Sequence, residues 1–196
     1  MMLIEETTVP QSALPVAELK DHLRLGSGFA DDGLQDGILE TCLRAAMAAI
    51  EARTGKILIE REFSWTVRSW RQGDEQSLPV APVNVVSAIN LIDHHGNARA
   101  INEGWTFVPS LQRPVIVATG SMLPQIAVHG SAKVHFLAGF GPEWSDVPAD
   151  LGQATMMLAA HFYDFRHGEA SGTDMMPPSV AVTLERHRMV RIGGGL

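Results

Sequence analysis

Apolar residues recur at helical spacing in the first third of the chain and predict two helices there. Residues 15–25 form a short helix whose apolar residues fall on one side. A longer helix is predicted to run to about Arg53, and Gly55 is a natural stop signal after it. This second helix carries two adjacent apolar stripes, which predicts a central place in the core. The stripes consist of Leu34, Ile38, Cys42, Ala45 and Ala49, and of Leu39, Leu43, Ala46 and Ile50.

The period of the apolar residues changes from helical to alternating after Gly55, which predicts a β-rich middle. The alternation of Phe63, Trp65 and Val67 indicates a strand or hairpin arm. Prolines recur between residues 79 and 124 and exclude a long helix there. Further strands are predicted at Asn84–Ile92, Trp105–Val108, Pro114–Ala118 and Ala132–Ala138.

Helical spacing returns after Pro148, where Leu151, Leu158 and Phe162 share a face. The pattern predicts an α+β fold: a helical core of two N-terminal helices plus a helix after residue 148, a β-rich insertion and a flexible C-terminal arm. The predicted segments are the N-terminal helices of the core (1–56), the β-rich insertion (57–140), the core helix with its linker (141–178) and the C-terminal arm (179–196).

The charge of the chain excludes one class of function. It has 15 basic and 22 acidic residues, a formal net charge of −7 at pH 7. A protein that binds DNA regardless of sequence needs a basic face to neutralise phosphates, and this composition lacks that surplus. Residues 180–196 are the positive part, with Arg186, Arg188 and Arg191 against Glu185. The asymmetry indicates surfaces that meet different neighbours, and ordinary scatter of charge is the alternative reading.

Cysteine usage and hydropathy point to a protein assembled in the cytoplasm. Cys42 is the single cysteine, so an internal disulfide and a cysteine-rich zinc site are excluded. No apolar run approaches the ~20 residues of a membrane-spanning helix. Residues 1–10 carry Glu5 and Glu6 without a basic cluster, unlike a signal peptide. We expect no membrane association.

Eight histidines are the residues that could suggest a metal site, but their spacing does not bring three ligands together. His161 and His167 stand two three-residue steps apart, with Asp164 between them. Two such steps turn a helix by roughly 600°, so the two histidines diverge. The sequence predicts no metal site.

Motifs for nucleophilic catalysis and cofactor binding are also missing from the sequence. No serine stands in the G-x-S-x-G frame of a hydrolase. Cys42 falls on the apolar face of the second helix, where a thiol packs rather than reacts. Gly139 and Gly141 resemble the start of a dinucleotide turn, but Trp144 stands at the third glycine position. We therefore expect no cofactor and no enzymatic activity.

A set of short segments follows a characteristic order and spacing along the chain from Pro15 to Ile192. They are Val16–Arg24, Ile50–Lys56, the strand around Phe63 and Trp65, Leu78-Pro79, Pro82–Ile89, Ala138–Gly141, Val147–Leu151, Ala160–Arg166 and Arg188–Arg191. Together they resemble the head–tail adaptor (connector) proteins of tailed phages and phage-like gene transfer agents. Tyr163 and Arg166 stand where this family tends to show an aromatic residue and an arginine. His167 replaces the acidic residue that often follows.

The resemblance implies a structural protein of a phage-like particle. Proteins like this form a homo-oligomeric ring of twelve subunits beneath the portal protein and receive the stopper or tail-side connector protein below. DNA is then only passive cargo in the channel, which agrees with an acidic ring that repels the phosphate backbone. The implied location is the cytoplasm during assembly and then the head–tail junction of the particle.

The C-terminal arm is the predicted portal-binding segment. The stretch 168–178 is predicted to be a flexible linker that lets the arm extend to a neighbour, and the positive charge of the arm suits an acidic groove on that neighbour. Val182 and Leu184 add apolar surface that could be buried on docking. The predicted portal-binding residues are Arg186, Arg188, Met189, Val190, Arg191 and Ile192. The alternative is a frayed tail whose helix packs on its own domain.

Two other classes of protein compete with the adaptor interpretation. One is a small soluble enzyme or ligand-binding protein with a β-lined pocket around Trp105 and the histidines. The other is a self-assembling tail or baseplate component. An enzyme would need polar groups that converge on one pocket, and the sequence supplies no such set.

Overall fold

The computed structural model describes residues 2–25, 33, 35–165 and 176–188. The chain divides into two compact units. The β unit comprises Met1–Thr8 with Glu60–Phe140, and the helical unit comprises Val9–Ile59 with Gly141–Leu196. A helical core interrupted by a β-rich segment is the predicted arrangement, and the α+β class is confirmed.

Four α-helices lie in the described part of the helical unit, at α1 (Val16–His22), α2 (Asp36–Thr54), α3 (Ala149–Asp164) and α4 (Pro178–Glu185). Short 3-10 turns occupy Gln11–Ala13 and Trp144–Asp146. Gly55 ends α2 in the left-handed conformation with φ of 70°, as its position in the sequence predicts. Helix α2 packs against α3, and α1 and α4 pack against both.

One of the two predicted stripes of α2 forms its buried face. Leu39, Leu43, Ala46 and Ile50 are fully buried, whereas Ile38 keeps 45% of its surface exposed. The prediction that Ile38 lies in the core is therefore wrong. Adjacent helix residues point about 100° apart, so the burial of Leu39 turns Ile38 towards solvent. Leu34, from the same stripe, lies outside the described residues.

Two antiparallel sheets form the β unit. One has five strands in the order β1-β2-β8-β4-β5, and the other has three in the order β3-β7-β6. The predicted strands correspond to β2, β4, β6, β7 and β8. Strands β3 and β5, with three residues each, are too short for an alternation to predict them, and β1 was not predicted. The bounds are β1 (Met2–Glu5), β2 (Arg61–Val67), β3 (Glu75–Ser77), β4 (Val83–Ile92), β5 (Ala98–Ala100), β6 (Trp105–Val108), β7 (Val115–Ala118) and β8 (Ser131–Ala138).

The five-stranded sheet is built around β8, which pairs with β2 on one side and β4 on the other. Every second residue of β8 is buried, so one face of this strand is covered. Phe136 on β8 stacks on Phe63 of β2 with ring centroids 5.7 Å apart. Trp65 is buried on the same strand, as predicted.

Strand β1 brings residues 1–8 into the β unit, although the sequence groups them with the N-terminal helices. It pairs with β2, with Leu3 opposite Trp65 and Glu5 opposite Phe63. An ion pair between Glu5 and Arg61 at 2.9 Å reinforces the pairing. These partners lie 56 to 62 residues further along the chain, so local pattern alone cannot reveal them.

Candidate interaction surface

Helix α4 covers the first part of the predicted C-terminal arm. Pro178 stands at its first turn, where a missing backbone N–H costs nothing. Val180 and Leu184 are fully buried, and the helix packs on α3 and α2. This part of the arm is thus a docked element of the helical unit.

An ion-pair network reinforces the contact between α4 and α2. Arg53 of α2 reaches Glu185 of α4 at 3.1 Å. Arg188 contacts the same carboxylate at 3.0 Å. Hydrogen bonds from Arg188 and Arg53 lower the pKa of Glu185 below its ordinary value. Because these groups are half-exposed, the network adds orientation more than stability.

A second polar contact joins the end of α4 to the start of α3. His187 Nε2 lies 2.6 Å from Asp150 Oδ2, and Arg186 Nη2 lies 3.9 Å from the same oxygen. The hydrogen bond to His187 is the largest effect that lowers the pKa of Asp150, followed by the charge of His187, the hydrogen bond from the Leu151 backbone N–H and the charge of Arg186. Asp150 also stands in the first turn of α3, where the helix dipole favours a negative charge.

Two of the six predicted portal-binding residues lie within the described residues. The Arg186 side chain is 74% exposed, and the Arg188 side chain is 53% exposed. Both follow the last residue of α4. Met189, Val190, Arg191 and Ile192 lie outside the described residues. The assignment of the six residues to a portal contact therefore stays a prediction.

The docking of α4 changes which apolar residues a partner could bury. Val182 faces solvent with 72% of its surface exposed, and Leu184 is fully buried in its own unit. Leu184 is thus not available to a partner, contrary to the expectation from the sequence. The polar anchors Arg53, Asp150 and His187 were not predicted. The position of Asp150 two residues after Pro148, in the first turn of a helix, was the available signal.

The histidines do not form a metal site within the described residues, where no group of three or more candidate ligands comes together. His161 packs on Phe165 with ring centroids 4.6 Å apart. His94 and His95 lie in a turn that is closed by a hydrogen bond of 3.1 Å from the Gly96 N–H to the Asp93 carbonyl. His167 lies outside the described residues.

The tryptophan side chains outside the core are held by their own units. The indole N–H of Trp105 donates to the Ile101 carbonyl at 2.9 Å, and that of Trp70 donates to the Pro124 carbonyl at 2.8 Å. Trp105 does not line the cavity found in the β unit. That cavity is lined by Thr66, Arg68, His129, Gly130 and Ser131.

Two further predictions concern Cys42 and the membrane. Cys42 is buried on the covered face of α2. Across the described ranges, no helix combines the length and the apolar character that a membrane crossing requires.

Three solved structures match this chain over its full length. The neck of an empty GTA particle computed with C6 symmetry contains a chain 51% identical, with a TM-score of 0.90. The virion of a native gene transfer agent (GTA) particle contains one 50% identical, with a TM-score of 0.88. The neck of a native GTA particle computed with C12 symmetry contains one 46% identical, with a TM-score of 0.84. Each match covers 100% of this chain and 99% of the other.

The chain belongs to the head–tail adaptor (connector) family of phage-like particles. About half of the residues of this chain are identical to those of the matched chains, and the fold is the same. The match includes every segment of the chain. No protein-family model and no curated protein matches the chain. As an adaptor-family protein, it has the α+β architecture that the resemblance implies, and the matched chains are parts of assembled particles.

Proposed function

We propose that this protein is a structural adaptor in the neck of a gene-transfer-agent-like particle. It forms a ring beneath the portal protein and joins the DNA-filled head to the stopper or tail-side connector protein. It carries out no catalysis. The observation that carries the proposal is the 51% identity and TM-score of 0.90, over the full chain, to a protein in the neck of a GTA particle.

A ring is the assembly that fits the symmetry of the matched necks. One matched neck was computed with C6 symmetry and another with C12 symmetry. Twelve copies around one axis satisfy both, because twelvefold symmetry contains sixfold symmetry. In such a ring each subunit presents one surface to the neighbour on its left and a different surface to the neighbour on its right.

The role of DNA in this proposal is passive. Twelve subunits that each carry a net charge of −7 form a strongly acidic ring. Such a field repels the phosphate backbone, so the genome passes through the channel without adhering to it. Assembly occurs in the cytoplasm, and the finished adaptor resides at the head–tail junction.

The portal contact is assigned to the end of the chain that follows α4. The buried residues Val180 and Leu184 fix the root of this segment on the helical unit. Arg186 is highly exposed, and its ion pair within the described residues is a 3.9 Å contact with Asp150, so its charge can also meet an acidic partner. The apolar surface is then supplied by Val182, Met189, Val190 and Ile192.

A truncation that respects the packing of α4 tests this assignment. A chain that ends at Arg188 keeps both buried residues of α4 and removes the segment 189–196. It should fold and melt like the full chain, but it should not be recovered with portal-containing heads after sedimentation. Attachment equal to that of the full chain would place the portal contact elsewhere.

A pair of charge reversals separates a specific contact from a general effect of charge. Arg188→Glu with Arg191→Glu should weaken attachment, and the defect should depend on salt concentration. The matched control is Arg24→Glu with Arg68→Glu, which changes the net charge equally at two exposed positions. The control should attach normally. Equal defects in both variants would assign the effect to net charge.

A further inference from the structure

Strand β1 is an apolar edge strand with an open outer side. Met2, Leu3 and Ile4 keep 55%, 37% and 37% of their surfaces exposed. Within the described residues, β1 pairs only with β2. Edge strands of soluble proteins are usually protected by charges, prolines or bulges, because an open apolar edge is a template for another strand. Met2–Ile4 has none of these protections.

The hydrogen-bond register shows which backbone groups point outwards. Glu6 N–H donates to the Glu62 carbonyl at 2.8 Å, so these two residues form a hydrogen-bonded pair. In an antiparallel ladder such pairs alternate with pairs that do not bond to each other. Ile4 and Met2 therefore bond to β2, and the N–H and C=O groups of Leu3 and Glu5 face away from the sheet.

Strand β5 forms the opposite edge of the same sheet, and all three of its residues are exposed. Ile101 N–H donates to the Ile89 carbonyl at 2.8 Å. By the same alternation Arg99 bonds to β4, while the backbone groups of Ala98 and Ala100 face outwards. The sheet thus has two open edges, each with two outward-facing residues.

We propose that β1 of one subunit pairs with β5 of the neighbouring copy, so that the five-stranded sheets join around the ring. This inference rests on the proposed ring. Every pair in the sheet is antiparallel, so the first and fifth of its five strands run in the same direction. A rotation that carries one subunit onto the next therefore brings β1 beside β5 in a parallel pairing. Contacts between two different edges repeat from copy to copy and close a ring.

The side chains of the two edges are complementary. Ala98 and Ala100 leave room for the larger Met2 and Ile4 across the contact. The exposed Arg99 can reach Glu5, whose side chain is 37% exposed while it contacts Arg61. A carboxylate accepts more than one donor, so Glu5 can hold both arginines.

Two strands this short cannot hold two free subunits together. A stable interface buries about 1,200 Å² or more, and four residues against three cover far less. The pairing therefore forms when the portal gathers the copies, and the test belongs in assembled particles. Cys42 is buried, so engineered surface cysteines are the reactive ones.

Cysteine cross-linking in particles identifies the neighbour of β1. Leu3→Cys with Arg99→Cys places one thiol on each edge and on the same face of the joined sheet, and adjacent strands lie about 4.8 Å apart, within the Cα separation that a disulfide spans. After mild oxidation, a non-reducing gel should show a ladder of covalent multimers. The control Leu3→Cys with Val108→Cys uses exposed β6 instead and should give no ladder.

The other possible results of the cross-linking experiment distinguish failure of the proposed strand pairing from failure of the proposed function. Dimers from Leu3→Cys alone would show that β1 pairs with β1, and a ladder from the β6 control would assign the contact to β6. No ladder in particles that contain the protein would reject the sheet contact but leave the adaptor role intact. Absence of the protein from particles would reject the proposed function and, with it, this inference.

A proline substitution provides a second test. Leu3→Pro removes an N–H that faces outwards and leaves the ladder to β2 intact. The free protein should keep its melting temperature, whereas incorporation into particles should fall. Leu3→Thr retains the N–H and should be incorporated normally. Normal incorporation of Leu3→Pro would overturn the proposed pairing.

Discussion

The contact between α2 and α3 supports a quantitative prediction about stability. Leu158 of α3 is fully buried, whereas Ile38 of α2 is 45% exposed. Leu158→Ala removes the packing of a complete side chain and leaves a cavity, which costs about 2–5 kcal/mol. Ile38→Ala removes a half-exposed side chain and leaves no cavity, so its cost is about 1 kcal/mol or less.

Urea unfolding followed by far-ultraviolet circular dichroism measures this difference, because the helical unit dominates the signal. The free energy of unfolding should fall for Leu158→Ala with an unchanged dependence on urea. For a chain of this length each 1 kcal/mol corresponds to about 2–4 °C, so the melting temperature should fall by roughly 4–20 °C.

Two results would contradict this account of the helical core. One is a loss below about 1 kcal/mol for Leu158→Ala, which would mean that α3 does not bury this residue. The other is an equal loss of unfolding free energy for both variants, which would mean that Ile38 is buried in the core.

Two further predictions concern α3 and the turn before it. The pKa of Asp150 lies below its ordinary value of 3.8 because of His187. Its stabilising effect is therefore present above pH 3.8 and lost as the pH falls through the lowered pKa. The free-energy difference between wild type and Asp150→Asn should shrink below pH 3.8, and a constant difference would reject the contact. Gly141→Ala should destabilise by about 1–3 kcal/mol in urea unfolding, because its Cβ would collide with the Asp146 carboxylate. Gly37→Ala meets no atom within 4 Å and should instead stabilise; the opposite order would refute the collision.

The helices were largely predictable because their information is local. The spacing of apolar residues identified α2 and α3. Gly55 marked the end of α2, where it adopts the left-handed conformation. The longer strands were also visible, since β8 alternates over eight residues and β4 is a ten-residue run rich in apolar residues. Short strands such as β3 and β5 have too few residues for a period to emerge.

The candidate interaction surface was predictable only in part. The amphipathic pattern after Pro178 indicated a helix, but whether that helix stays free or docks depends on what it meets. The buried Leu184 and the contacts of Arg53 and Asp150 with α4 join residues more than 30 positions apart. Such pairs become neighbours only when the chain has folded.

The sequence by itself determined the main helices, the longer strands, the α+β class and, through the order of its segments, the adaptor family. Each of these rests on neighbours in the chain or on a pattern along it. The tertiary structure decided that Ile38 faces solvent, that α4 is docked and that β1 is an open edge. The physical reason is that burial and strand pairing depend on distant segments, so an apolar residue reveals its tendency to be covered but not the surface that covers it.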